Sequence, residues 1–122
     1  MNLWLAVFLG GGFGSMARFG VSYLTTSRFT KINPEGTLIS NILATLVLGV
    51  LLYYFHEKEP LSGSIKAFLV TGFCGGFSTF STFSYESIEL IKHHSYFFGI
   101  ANILISVLLA VVVLYFVSKW VS

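Results

Sequence analysis

The chain has 122 residues, 55% of them hydrophobic and 10% charged, with a mean hydropathy of +0.83 and a net charge of +2. A soluble domain of this length cannot hide so much apolar surface, so the composition is that of a membrane protein. The small net charge argues against a nucleic-acid partner, and a single cysteine, Cys74, rules out an intrachain disulfide and a multi-cysteine metal site.

The first apolar stretch runs from about Leu3 to Tyr23. Its opening, Met1 to Gly12, has no basic n-region and no A-x-A-like cleavage site, so it is expected to be a membrane span rather than a signal peptide. Gly10 and Gly14 form G-x-x-x-G, which lets two helix backbones approach closely and predicts a packing seam. Arg18 follows four residues after Gly14. Two roles stand open for it: snorkelling to the headgroups, or a cation at a vestibule mouth that draws anions inward.

The second stretch runs from about Thr37 to Phe55, after a polar break from Thr25 to Glu35 that includes Pro34. Thr37, Asn41 and Thr45 share one helix face at i, i+4, i+8. Interhelical hydrogen bonding explains Thr and Asn in a membrane, but a buried amide has both donors and an acceptor to satisfy, so Asn41 is also a candidate for function.

The third stretch, from about Ile65 to Ile91, lies between a polar segment from His56 to Ser64, with Pro60, and another from Lys92 to Ser95. In its middle, Thr71 to Ser84 holds three glycines and six hydroxyl residues. A weakened helix at that depth is tolerated only where protein or a water-filled cavity receives its backbone, and a Gly-interrupted membrane segment points to an ion or substrate site near the midplane. If helix resumes near Thr79, Phe80 and Phe83 stack at i, i+3, and Thr79, Thr82 and Glu86 form another stripe. The phenylalanines are either apolar packing or, through their electropositive ring edges, weak contacts for an anion; Ser78, Ser81, Thr82 and Ser84 beside them have O–H groups able to donate to it. For Glu86, a place at the mouth, a neutral acid in a hydrogen bond and a solvated helix-end carboxylate all remain open.

The fourth stretch runs from about Phe97 to Val121, with Asn102 and Ser106 at i, i+4 as packing glue or as an extension of a polar path. The expected fold is an all-α membrane protein, one domain over residues 1–122, with four transmembrane helices and a broken third. Four spans place Lys58, Lys66 and Lys119 on one side and Arg28, Lys31 and Lys92 on the other, with Arg18 near the membrane edge. Such a balance gives the Lys and Arg rule little to act on. Either the chain inserts both ways up and pairs antiparallel, or something other than these charges fixes one orientation. No Ser/His/Asp set, metal cluster or phosphate loop lies in the spans, and His56, His93 and His94 fall in loops or at helix ends, so the chain is not expected to be an enzyme.

The runs Gly10 to Phe19, Gly36 to Asn41 and Gly72 to Ser84 closely resemble the Fluc (CrcB-type) fluoride channels, and the resemblance covers the whole chain. It implies antiparallel dual-topology homodimers of four-helix subunits in the cell (inner or plasma) membrane of a prokaryote, with two narrow fluoride pores that let the anion leak out passively and relieve its toxicity. It implies one central structural sodium ion held by backbone carbonyls that map onto Gly75 and Ser78. It maps the pore phenylalanines onto Phe80 and Phe83, the pore asparagine onto Asn41, the vestibule arginine onto Arg18 and a hydroxyl track onto Ser81 and Thr82. Glu86 aligns with an acidic position; Asn102 stands where some relatives have Tyr. A small dual-topology, proton-coupled transporter of the multidrug type is the competing function; that class relies on an acidic residue in the first helix, which this chain lacks. A non-transporting membrane subunit is the third, and the polar stripes and glycine break speak against it.

Overall fold

The computed structural model describes residues 1–55 and 61–121; His56, Lys58 and Pro60, expected in the second loop, lie outside the described residues. The regular elements among the described residues are all helices, without strands. Helix α1 spans Leu3–Leu24 and is capped by Asn2, whose side chain accepts from the Trp4 N–H at 2.7 Å. Helix α2 spans Pro34–Phe55, its last turns, Val50–Phe55, being π-helical. It starts three residues before Thr37 because Asn33 Oδ1 accepts from the Gly36 N–H at 3.0 Å and Pro34 fits the first turn. Helix α3 joins Gly63–Lys66, a π-helical run Ala67–Cys74 and a last turn Gly75–Phe77. Helix α4 spans Phe80–His93 and helix α5 spans Tyr96–Val121.

Three of these, α1, α2 and α5, are long and apolar enough to cross a membrane. The third apolar stretch is divided between α3 and α4, each shorter than the roughly 20 residues a crossing needs.

Helices α1, α3 and α4 run one way and α2 and α5 the other. The Ser64 hydroxyl donates to the Met1 carbonyl at 2.9 Å, and further along Gly14 faces Phe73 and Phe77, so α1 and α3 climb together. Leu38 and Asn102 line one cavity, and Gly49 faces Leu114 and Val117, so α2 and α5 descend together. Lys66 and Lys119 fall at one end of the bundle, and Arg28, Lys31 and Lys92 at the other. The exterior is apolar along α1 and α5. Trp4 (86% exposed) and Trp120 (87%) stand at one rim and Tyr23 (80%) and Tyr96 (72%) at the other, the two-belt arrangement of aromatic anchors at membrane interfaces. The chain is a multi-pass membrane protein.

The closest packing is between α1 and α3. A Cβ on Gly10 would collide with the Phe68 carbonyl, one on Gly72 would come within 2.8 Å of the Gly10 Cα, and one on Gly76 within 2.6 Å of the Gly11 carbonyl. The G-x-x-x-G seam expected in α1 therefore joins it to the first half of the broken segment of its own chain. Backbone atoms cannot step aside as side-chain ends do, so a methyl group here pushes the helices apart at about 1–3 kcal/mol. Gly72→Ala and Gly10→Ala are expected to lower the detergent-solubilised protein's melting temperature, whereas Gly20→Ala, where a Cβ meets nothing within 4 Å, is expected to leave it equal or higher. Equal melting of all three would show that the seam is not tight.

Candidate functional site

The helix stops where the glycine and hydroxyl residues lie. Ser78 (φ −87°, ψ 158°) and Thr79 (φ −152°, ψ 120°) are extended, between Phe77 and Phe80. Both are ordinary backbone conformations, so the gap is not held by strain. It is held by partners for the groups it releases. Thr79 receives two bonds from one side chain: its N–H donates to Asn41 Oδ1 at 2.7 Å, and its carbonyl accepts from Asn41 Nδ2 at 3.3 Å. The Asn41 amide thus acts on Thr79 as a neighbouring strand would. The Gly76 carbonyl accepts from Arg18 Nε at 3.1 Å, a cation at the C-terminal end of α3. The Thr79 hydroxyl caps α4 by accepting from the Thr82 N–H at 3.2 Å, and the Ser78 hydroxyl donates back to the Cys74 carbonyl at 2.9 Å.

Arg18 therefore does something that neither sequence-based role included. It sits six residues before the end of α1, about 9 Å of helix rise, and its Nε turns to a carbonyl inside the bundle rather than to a headgroup. Asn41 is likewise tied to backbone. One of its two amide hydrogens serves Thr79, and the second is left for another acceptor.

Beside the break lies a groove of about 300 Å³ lined by Asn41 and Thr45 of α2, Ser78 and Thr79 of the gap, Phe80 and Phe83 of α4, and Ser106, Val107, Ala110 and Val111 of α5. The Phe80 and Phe83 rings are 5.7 Å apart and tilted by 54°. Phe83 is buried, while Phe80 is 78% exposed. The structure thus gathers Asn41, Phe80, Phe83, Ser78 and Ser106 at one place. Thr45 joins them, and its hydroxyl donates to the Asn41 carbonyl at 2.7 Å. Its i+4 spacing from Asn41 was the signal for it.

The other candidates lie elsewhere. Ser81 is exposed, with its hydroxyl 3.4 Å from that of Thr79. Thr82 lines a second cavity, of about 520 Å³, with Glu86, Tyr85 and the loop residues Ser27, Lys31 and Asn33. Glu86 is buried, which removes the solvated helix-end carboxylate; its Oε2 accepts from the Asn33 N–H at 3.0 Å and so ties α4 to the cap of α2. Asn102 lies outside the groove and donates to the Ser87 hydroxyl at 3.0 Å. Gly75 is exposed, and a Cβ on it would meet nothing within 4 Å. The donor its carbonyl would have in an unbroken helix, the Thr79 N–H, is turned to Asn41 instead. His93 pairs with Glu89 at 3.0 Å on the exposed end of α4, and His94 packs edge-on against Phe29.

Asn41→Ala would strip partners from both the N–H and the carbonyl of Thr79, a loss of about 2 kcal/mol or more. It is expected to shift the denaturant midpoint well beyond Leu43→Ala, a truncation on the exposed side of the same helix. Equal shifts would mean that the amide does not hold the break.

The chain matches the family described as CrcB-like protein, Camphor Resistance (CrcB), over residues 5–117. It is 44% identical over 114 residues to a protein of Coxiella burnetii named fluoride-specific ion channel FluC, covering 91% of this chain and 90% of that one. Proteins of the same name from Dehalococcoides mccartyi (39% over 111 residues, 91% of this chain and 85% of the relative) and Francisella tularensis (40% over 114 residues, 90% and 87%) are similar along the same length. A match this long, running through the seam, the amide splint and the gap alike, makes the chain a member of the CrcB-like protein family.

Proposed function

We propose that the chain is a fluoride-selective channel that lets fluoride leave the cell passively across the cell (inner) membrane of a prokaryote and so relieves its toxicity. The observation that carries this is the groove at the helix gap, where an amide, a hydroxyl and two phenyl rings converge at mid-depth in an otherwise apolar bundle. The bacterial relatives named as fluoride-specific channels support the choice of ion.

Fluoride holds its water tightly: the cost of drying a carboxylate-sized ion is already on the order of 20 kcal/mol, and a smaller anion costs more. The groove offers replacements for that shell. The second Asn41 hydrogen and the Ser106 hydroxyl are donors, and the edges of Phe80 and Phe83 are weakly positive without being sticky. Larger halides fit such a width and donor spacing poorly. Arg18, held at Gly76, adds positive potential inside the bundle. Thr82 and Glu86 line the cavity at the loop end, the natural approach to the groove, and Ser81 lies on the exposed side of the gap.

A second copy completes the assembly in this proposal. Thr71, Gly75 and Ser81 form an exposed, small and polar stripe beside exposed Phe80, at a depth where lipid cannot satisfy hydroxyls. A partner related by a two-fold axis covers it, and near-equal positive charge at the two ends suits an antiparallel pair. The Gly75 and Ser78 carbonyls are the residues that would hold a structural sodium ion: oxygen donors suit a hard cation, and the Gly75 carbonyl has lost its helical donor. When bound, the ion supplies positive charge that offsets repulsion between those oxygens. The competing proton-coupled transporter would need an acidic residue on the first helix to carry the proton, and α1 has none.

The test is fluoride-electrode efflux from proteoliposomes, repeated with chloride. Fast fluoride release with chloride retained is expected. Equal release of both halides, or neither, would overturn the proposal. Asn41→Asp places a negative charge on the path and removes a donor, so fluoride flux is expected to be lost; undiminished flux would remove Asn41 from the path. Phe83→Ile keeps bulk but deletes a ring edge and is expected to slow flux by roughly tenfold.

A further inference from the structure

Asn102 lies outside the groove, yet its partners lead to it. Its Nδ2 donates to the Ser87 hydroxyl at 3.0 Å, and that hydroxyl donates in turn to the Phe83 carbonyl at 2.8 Å. Ser87 is buried, so its hydroxyl has little choice of partner. Without Asn102, its acceptor lone pairs face an apolar interface.

A second, independent contact fixes the same crossing. Gly99, one turn before Asn102 on α5, faces α4 so closely that a Cβ there would lie 3.0 Å from the Ser87 carbonyl and collide with Ile91. Gly99 lets the two backbones meet, and Asn102 sets where along α4 they meet. Ser106 follows one turn after Asn102 and lines the groove that Phe83 also lines. One face of α5 thus carries the close approach, the pin and the groove wall in three successive turns.

We propose that Asn102 is a positioning residue: through Ser87 it fixes the register of α5 on α4 and thereby sets the gap between the Phe83 ring and the Ser106 hydroxyl. This rests on the channel function proposed above, in that the gap's width decides which halide passes. Loss of the pin lets α5 slide and the groove widen, so discrimination falls before throughput does.

Asn102→Leu keeps the branched shape and the number of heavy atoms and removes the donor; Ser87→Ala removes the middle of the relay and leaves Asn102 in place. Each is expected to lower the fluoride-over-chloride efflux ratio by about tenfold, and the double variant to fall no further, because both cut one chain of bonds. Ser87→Thr, which restores the hydroxyl, is expected to keep the parent ratio. A 4-fluorophenylalanine at position 83 gives a readout that needs no transport: its 19F resonance is expected to shift in both single variants and not in Ser87→Thr. An unchanged ratio and an unmoved resonance in folded Asn102→Leu, or single-variant losses that multiply in the double, would overturn the proposal. If Asn102→Leu does not fold, Ser87→Ala against Ser87→Thr decides by the same two readouts. A parent that releases no fluoride defeats the channel function, while the 19F comparison still judges the relay.

Discussion

Backbone groups released in the middle of a hydrocarbon layer have no water to turn to, and the arrangement around Ser78 and Thr79 follows from that requirement. Two groups of Thr79 are matched by one Asn41 side chain, and the Gly76 carbonyl by Arg18. The glycines of α1 and α3 bring Arg18 within reach, since the seam holds the two helices backbone to backbone just below it. The polar residues that looked from the sequence like parts of a pathway are first of all parts of a scaffold. The groove exists because the scaffold permits a gap.

In the proposed channel, this scaffold role constrains function. An amide whose oxygen and one hydrogen are committed to Thr79 is held rigid, so its remaining hydrogen has a fixed direction. Rigid donors cost little reorganisation when an ion arrives. The same holds for Phe83, buried at the groove wall and tied through its carbonyl to Ser87. Phe80, exposed on the single chain, has no such support, and in a two-copy assembly that support would have to come from the partner.

Much of this was legible in the sequence. Glycine and hydroxyl density placed the gap inside Thr71 to Ser84, and a helix restart near Thr79 agrees with Thr79 as the cap from which α4 starts. The G-x-x-x-G pattern announced the seam, and the spacing of Asn41 and Thr45 put the two on one face, which the structure turns to the groove. What could not be read was direction. Spacing says which residues share a helix face but not which helix that face meets. Arg18 therefore stood between headgroups and vestibule, and Glu86 between the mouth, a hydrogen bond and water, until the loop from α1 to α2 folded Asn33 onto Glu86 and removed the last of these. Asn102 and Ser106 share a face by spacing, yet only Ser106 reaches the groove, because α5 crosses α4 at Gly99. Each of these details joins parts of the chain far apart in sequence, and no local pattern encodes such a meeting.

Arg18 and Asn41 both precede the gap in the chain. A protein made from its N-terminus onward has α1 and α2 available before residues 76–79 leave the ribosome. The interrupted segment, the piece least able to survive alone in lipid, thus emerges to find its partners already waiting. Reversing the order of the helices would leave the same contacts possible in the finished protein but expose bare main chain during its synthesis.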